Sequence, residues 1–280
     1  DGLTLITATN DRNGATTILI DNDENTINSW NHEYGISSIS YLSRDSILFT
    51  PRKVPGNHEA EGGLFQKIDW DGNIIWEWSI PTEICNPHHD IAILSNGNIL
   101  AICSETKTQE QAQLAGLEDI NGPMTLDMII EIQPLENNQA EIVWKWHFWD
   151  HLIQDIGPQY TIPYGNISDH PELLDINVRG SGNNEGIPDW NHSNKISYNS
   201  NLDQVAISCR HMNEIFIIDH STTAEEAAGH TGGIQGKGGD IIYRWGNPQN
   251  YDRGTVTDQI LDAQHGIDWI PYGYPGEGNF

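Results

Sequence analysis

One pattern recurs along the 280 residues and limits the folds open to them. An apolar stretch meets an Asp/Asn/Gly turn, a second stretch ends in tryptophan, and after a variable linker two more apolar stretches follow. In the first copy Thr17–Asp21 leads through Asn22–Asn25 to Ile27–Trp30, then to Ile39–Leu42 and Ile47–Phe49. In the second, Leu64–Asp69 turns at Trp70–Asn73 into Ile74–Trp78, and His89–Leu94 turns at Ser95–Asn98 into Ile99–Ile102. The third runs through Met128–Ile132 and Ile142–Trp146 to the strand after His192 and to Val205–Ile207. The fourth takes Glu214–Asp219, Asp240–Trp245 and then His265 with Ile267–Ile270. Asp-Gly and Asn-Gly between alternating apolar runs are hairpin signals. A repeat of four strands reads as the blade of a β-propeller, because each such unit can bury its faces only against its neighbours. A β-sandwich is the competing architecture, and the fourfold return of the Trp-ending strand disfavours it.

The expectation is therefore an all-β chain: a single β-propeller domain over residues 1–280, built of four-stranded blades. Four blades is the low end for closure, and residues 276–280 stop mid-hairpin by this pattern. An incomplete propeller lacking C-terminal blades is expected, closed by further sequence or by another chain. The linkers 104–125, 147–188 and 221–239 are too long for blade turns and should decorate one face. Gln109–Leu117 and Thr223–Ala228 can each form a short helix. Trp76, Trp78, Trp144, Trp146 and Trp245 read as blade packing. Cys85, Cys103 and Cys209 lack metal-ligand spacing; Cys85 and Cys103 flank one hairpin and can pair, or all three are buried free thiols.

Charge narrows the function. With 40 acidic and 13 basic residues, the net charge of -27 leaves nothing to neutralise phosphates, which argues against nucleic acid and anionic membrane surfaces as partners. No run of about 18 apolar residues offers a transmembrane helix, and no signal peptide is visible. Residue 1 reads as the start of a processed or trimmed chain, and such acidity suits a salty or extracellular setting. Some carboxylates, Asp69 and Asp71 with Asn73 among them, can bind calcium, although hairpin geometry explains that turn equally well.

Three histidines stand at corresponding repeat positions, just before the strand that follows the Trp strand: His89, His192 and His265. Equivalent positions in successive blades lie at similar depth, so the three can converge. Arg210 ends the strand that follows the His192 strand and can meet it. Histidine titrates near neutrality and serves as nucleophile, acid or base. The arginine fork matches a sulfate or phosphate oxyanion. Three histidines and an arginine without a Ser-His-Asp set point to transfer of an anionic group through a histidine adduct. Three imidazoles can also hold a metal, but the adjacent arginine repels a cation, so that reading comes second.

Longer stretches carry a resemblance. They are Cys85–Asp90 with Leu94–Leu100, Trp144–Asp155, His170–Asp175, Asp189–Tyr198, Leu202–Gln204, Asn213–Thr223, Gly238–Pro248 and Gln264-His265. In these the chain resembles the bacterial aryl-sulfate sulfotransferase (arylsulfotransferase) family that uses no nucleotide sulfate donor, over roughly residues 15 to 279. The resemblance implies a six-bladed propeller, longer than this chain, and a ping-pong transfer of a sulfuryl group from an aryl sulfate to a phenol through a sulfohistidine. His265 matches the histidine that carries the sulfuryl group, Arg210 the arginine that holds its oxygens, and His192 and His89 the two supporting histidines. His89 rather than His88 is chosen because His-Asp before the Leu-x-Asn-Gly-Asn hairpin is the matching unit. Ser95 stands where the family usually has Pro, and Gly266 where Asp or Thr is common.

From this follow the remaining expectations. His265 attacks sulfur, Arg210 steadies the oxygens, and His192 or His89 handles the phenolic proton. Trp269 and Tyr272, close to His265, are candidates to stack on the phenol, and His220 and His230 read as loop histidines. No cofactor or catalytic metal is expected, calcium apart. Aryl sulfates and phenols are the expected partners, a homo-oligomer is open, and the periplasm or exterior is the expected location. The alternative is a non-catalytic propeller that binds sulfated or phenolic ligands or serves in a larger assembly. Metal-dependent or lyase-type chemistry at the same cluster is a third reading.

Overall fold

The computed structural model describes residues 2–9, 14–54, 62–178 and 189–280. Its regular structure is a series of antiparallel meanders. The first sheet holds β1 (Leu3–Thr9), β2 (Ala15–Asp21) and β3 (Thr26–His32), in that order. The second holds β4 (Tyr41–Leu42), β5 (Leu48–Lys53), β6 (Gly63–Ile68) and β7 (Ile74–Ser79). The third holds β8 (Asn86–Ile93), β9 (Ile99–Lys107), β10 (Met124–Leu135) and β11 (Gln139–His147). A parallel pair follows, β12 (Leu152–Ile153) with β13 (Leu174–Asp175). The fourth sheet holds β14 (Ser193–Asn199), β15 (Gln204–Cys209), β16 (Glu214–Asp219) and β17 (Tyr243–Trp245). Four-stranded meanders of this kind are the blades of a β-propeller.

The sheets are phased differently from the sequence repeat. Residues 39–42 and 47–49, expected to complete the first copy, instead supply β4 and the start of β5 in the sheet of β6 and β7, where Phe49 faces Lys67 and Phe65 faces Trp78. The Trp strand thus ends one sheet, and the His-led strand opens the next. Linker length does not decide where the chain changes sheet: residues 80–85 carry it from β7 to β8 in the next sheet, whereas the long linkers 108–123 and 220–242 join neighbouring strands of one sheet. The expected strand at Ile267–Ile270 does not form; that segment is closed by Ile270 and Gly278 in a loop, through bonds to Asn279 and Ile270 carbonyls.

The Asp/Asn turns are locked by side chains. Asp21 accepts from the Asn25 main chain at 2.9 Å and its amide at 3.0 Å; Asp69 accepts from Asn73 at 2.7 and 2.9 Å. The Asn73 side chain and main chain hold Asp69 below the usual carboxylate range. Its oxygens are thereby engaged in the hairpin.

Tryptophan joins sheet to sheet. The Trp30 indole donates to the Asp69 carbonyl at 2.9 Å, Trp76 to Gln139 at 2.9 Å, and Trp144 to the Thr222 hydroxyl at 3.1 Å. All three rings are buried. Each therefore fills the space between two layers and satisfies its one polar atom there.

The chain divides into two compact units, Asp1–Ala101 with Ile132–Ile142, and Ile102–Glu131 with Val143–Phe280. The first has a core around Leu19, Trp30, Leu48 and Ile68. The second packs Ala206, Ile215, Ile217 and Ile267 together, with Trp245 and Trp269 against them.

The linkers do more than decorate. Helix α1 (Gln109–Leu114) is capped by Thr108, and α2 (Ala224–Ala227) by Thr223, each through a capping box. Residues 147–178 carry buried His151, Ile153, Leu174 and Ile176, because their apolar side chains complete the core of the second unit. Residues 179–188 of that linker lie outside the described residues. Cys85, Cys103 and Cys209 are buried and none forms a disulfide. Among the described residues no helix is long and apolar enough to cross a membrane.

Candidate active site

The segment that opens β14 is stitched to its neighbours on both sides. Asp189 bridges Thr125 in parallel, Trp190 donates to the Thr125 carbonyl at 2.8 Å, and Asp127 donates its amide to Asn191 Oδ1 at 3.0 Å. Ser193 donates its amide to the Asp127 carboxylate. Across β15, Arg210 donates to the His192 carbonyl at 3.0 Å and His211 to the Asn191 carbonyl at 3.2 Å. Main-chain bonds from two directions thus fix His192, Arg210 and His211 relative to one another. Asn191 is fully buried, and its bonds to Asp127 and Ser193 satisfy it there.

His192 and His89 share an unusual backbone, with φ of 51° and 56°. The left-handed region costs a β-branched or bulky residue about 1–3 kcal/mol, and it concentrates at sites where side chains must be aimed. The two positions that correspond in the repeat therefore correspond in conformation. In the first unit His89 has its Nδ1 2.7 Å from Nδ1 of His88, the rings edge to face, and its carbonyl accepts from Ser38.

Hydrogen bonding sets the tautomers. The Asp189 carboxylate only accepts, so His192 carries hydrogen on Nδ1, which donates to Asp189 Oδ2, and presents its lone pair on Nε2. Arg210 only donates, so its Nη1 contact of 3.0 Å makes His211 Nε2 an acceptor, while His211 Nδ1 donates to the Asp189 carbonyl at 3.0 Å. His211 is thus a neutral ring clamped at both nitrogens. Burial holds its pKa below the usual histidine range, reinforced by His192 and Arg210 and opposed by Asp189. Its ring centroid lies 4.7 Å from that of His192. A buried neutral imidazole that accepts from the guanidinium aims the Arg210 fork without cancelling its charge.

His265 is brought to the same end of the sheet by Gln264. The Gln264 amide donates to the Ser208 hydroxyl at 3.3 Å and to the carbonyls of Cys209 and Glu214 at 3.0 Å each. Asn194 donates to the Gln264 carbonyl at 2.8 Å, and Asn213 Oδ1 accepts the amide of Ala263 at 2.7 Å. Gln264 is bonded to the residue before Arg210, and His265 is the residue after Gln264. His265 is exposed, and its Nδ1 donates to the Ala263 carbonyl at 3.0 Å, which again puts the lone pair on Nε2. Gly266 has φ of 117°, a conformation closed to the Asp or Thr expected there, although a Cβ would meet nothing within 4 Å.

The two aromatic candidates part company. Trp269 is half-buried, donates its indole to the Ser197 carbonyl at 3.2 Å and meets Phe280 edge to face. With Tyr243, Trp245 and Phe280 it lines a cavity of about 620 Å³. Tyr272 is 80% exposed, on a turn.

Asp189, His211 and Gln264 were not among the residues singled out as catalytic or binding. The first two sat in view, three residues before His192 and one after Arg210. For Gln264 only its place beside His265 was a signal. Asp189, His192 and His211 offer ligand atoms within 4.8 Å of one another. They do not suit a metal: His211 uses both nitrogens, one of them on a cation, and the Arg210 charge opposes a second cation.

The fold is that of a β-propeller, and His192, Arg210 and His211 form one cluster at the end of β15. The sequence model of the arylsulfotransferase (ASST) family matches residues 1–228, and the chain belongs to that family. The match contains His89, His192 and Arg210; His265, Trp269 and Tyr272 lie beyond it. No curated protein matches. Among solved structures, a chain of Kuenenia stuttgartiensis hydrazine synthase is similar at 14% identity and a TM-score of 0.47, over 86% of this chain and 58% of that one. The present chain thus spans under two thirds of that chain's length.

Proposed function

We propose that this arylsulfotransferase-family protein moves a sulfuryl group from an aryl sulfate to a phenol by a ping-pong reaction through His265. The observation that supports this most is that the neighbours of both residues meet at the end of β15: Gln264, next to His265, bonds to the carbonyl of Cys209, next to Arg210, whose guanidinium is held by His211. In the first half-reaction the Nε2 lone pair of His265 attacks sulfur, the S–N bond forms, and the S–O bond to the aryl group breaks. The leaving oxygen keeps that electron pair and takes a proton from Nε2 of His192, which enters this half-reaction protonated and is oriented by its Nδ1 bond to Asp189. Arg210 donates to the equatorial oxygens as their charge changes. In the second half His192, now neutral, takes the proton of an incoming phenol, whose oxygen attacks sulfur and releases His265.

The aromatic-lined cavity beside Trp269 does not include His265, Arg210, His192 or His89 in its lining, so it does not itself supply the reacting centre. For His89 the support is its repeat position and the backbone it shares with His192. The test is transfer from 4-nitrophenyl sulfate to phenol in the wild type and in His265→Ala. Loss of both nitrophenol release and phenyl sulfate formation is expected in the variant. Retained turnover would show that another group carries the sulfuryl.

A further inference from the structure

We propose that His151, His230 and Asp240 form a binding site for one divalent transition-metal ion, with Zn²⁺ the best fit, among residues that the proposed sulfuryl transfer does not use. His151 follows β11 on a short 3-10 turn, and its side chain is 0% exposed. Its ring stacks on Trp146, with centroids 5.2 Å apart and planes 8° from parallel. Its Nε2 lies 2.9 Å from the Ala227 carbonyl, which only accepts, so Nε2 carries the hydrogen. In the neutral ring Nδ1 then bears a lone pair, yet it lies 2.9 Å from Asp240 Oδ1, another acceptor. The Nδ1 of His230 lies 2.7 Å from the same oxygen. Two imidazole nitrogens thus converge on one buried carboxylate oxygen, and all three ligand atoms lie within 4.8 Å of one another.

A cation among them turns the facing lone pairs into ligands. The Nε2–H bond of His151 to a main-chain carbonyl is the outer bond that a metal-binding histidine ordinarily makes, since it fixes the tautomer and the ring. Zinc bonds of about 2.0–2.2 Å at tetrahedral angles place ligand atoms roughly 3.4 Å apart, so the 2.9 and 2.7 Å spacings seen here would open slightly around the ion. Two nitrogens and one oxygen favour Zn²⁺ over Ca²⁺ or Mg²⁺, which take oxygens. His230, whose side chain is 49% exposed, supplies an entry path and leaves room for water as a further ligand.

The loop that brings His230 and Asp240 together is set in advance. Gly238 donates to Gly232 and Gly239 to Gly229, each at 3.0 Å, and the Trp146 indole donates to the Gly239 carbonyl at 2.6 Å. A Cβ on Gly239 would sit 2.0 Å from the Ala227 oxygen and 2.7 Å from His151 Nε2, so this close approach requires glycine. The net charge of -27 also concentrates cations around the chain.

The rival structure is a His151 imidazolium that donates to Asp240, with no ion. The test uses the full chain without a histidine tag, stripped with chelator, titrated with ZnCl₂ by calorimetry and with Co²⁺ by visible absorption. One equivalent of Zn²⁺ is expected, with affinity falling about 100-fold or more in His230→Ala. The half-exposed His230 is a substitution the fold should tolerate; Asp240→Asn is the second variant, judged by circular dichroism to be folded. His192→Ala, which removes the other His/Asp cluster, should leave binding unchanged. Absence of a zinc equivalent, binding that survives His230→Ala, or binding lost in His192→Ala would each overturn the site.

Discussion

Asparagine at Asp189 isolates the contribution of the Asp189–His192 pair. The carboxylate accepts the Nδ1–H of His192 and thereby keeps Nε2 as the nitrogen that exchanges the proton. The amide keeps the shape but loses the charge, and its Nδ2 face reverses the tautomer. In a fully buried pair of this kind the loss is about 10⁴ in kcat. Here the side chains of His192 and Asp189 are 26% and 36% exposed, so water competes for the same proton. The expected loss is nearer about 10², or about 2.7 kcal/mol of barrier. The fold should survive, because the Asp189 main chain keeps its bridge to Thr125 and its carbonyl keeps the bond from His211. The assay is steady-state transfer from 4-nitrophenyl sulfate to phenol, with the same substitution repeated in a His192→Ala background. The effect should sit in kcat and vanish in that background, since the two residues act as one unit. A kcat within twofold of the parent, or an equal further loss without His192, would refute the dyad.

Three further substitutions probe the site and its support. Arg210→Lys keeps the charge but loses the planar fork and the fixed contact to His211, so kcat/KM for the aryl sulfate should fall about ten- to a hundredfold; undiminished kinetics would remove the sulfuryl clamp. Asp175 is pushed up to about 6 by burial, with Asp155 and Asp252 adding to it, against Asn177. A raised carboxyl pKa stabilises the fold below the unfolded value near 3.8 and loses that contribution as pH rises through about 6. Asp175→Asn should therefore raise stability in urea at about pH 7.5 by roughly 1–2 kcal/mol after allowance for partial exposure, and change little near pH 4; equal urea midpoints at the higher pH would contradict it. For His220, burial lowers the pKa, but bonds to Glu131 and Asp203 outweigh it and leave the value raised. Its contribution is full below the ordinary histidine range and is lost as pH rises through the raised value. His220→Phe should cost about 2–4 kcal/mol near pH 6 and less near pH 9; a larger cost at alkaline pH would contradict the ion triad.

The repeat made the strands legible because alternation and Asx turns are local. Asp69 and Asn73 close their own hairpin with their own side chains, and Trp76 ends its strand wherever the chain places it. Which strands share a sheet was not legible, because linker length does not mark it: residues 80–85 change sheet, whereas 108–123 and 220–242 stay within one; β4 is only two residues long and gives little signal. The segment 267–270 looks like a strand by composition, yet it closes on itself through Gly278 and Asn279 rather than on a neighbouring strand. His220 and His230 do lie in loops, as expected, but their partners were not legible. His220 meets Glu131 and Asp203 from distant parts of the chain, partners that spacing does not reveal. In the candidate site, Arg210 and His192 were visible as neighbouring strand ends. The clamping of Arg210 by His211 needed the folded turn, since residues adjacent in a strand ordinarily face opposite ways.

The most direct measurement is intact-protein mass spectrometry after mixing the folded chain with an aryl sulfate and no acceptor. Covalent transfer through His265 predicts a gain of one sulfuryl group, lost on addition of phenol and absent in His265→Ala. A folded protein that gains no mass, or that gains it equally in His265→Ala, contradicts transfer through this histidine.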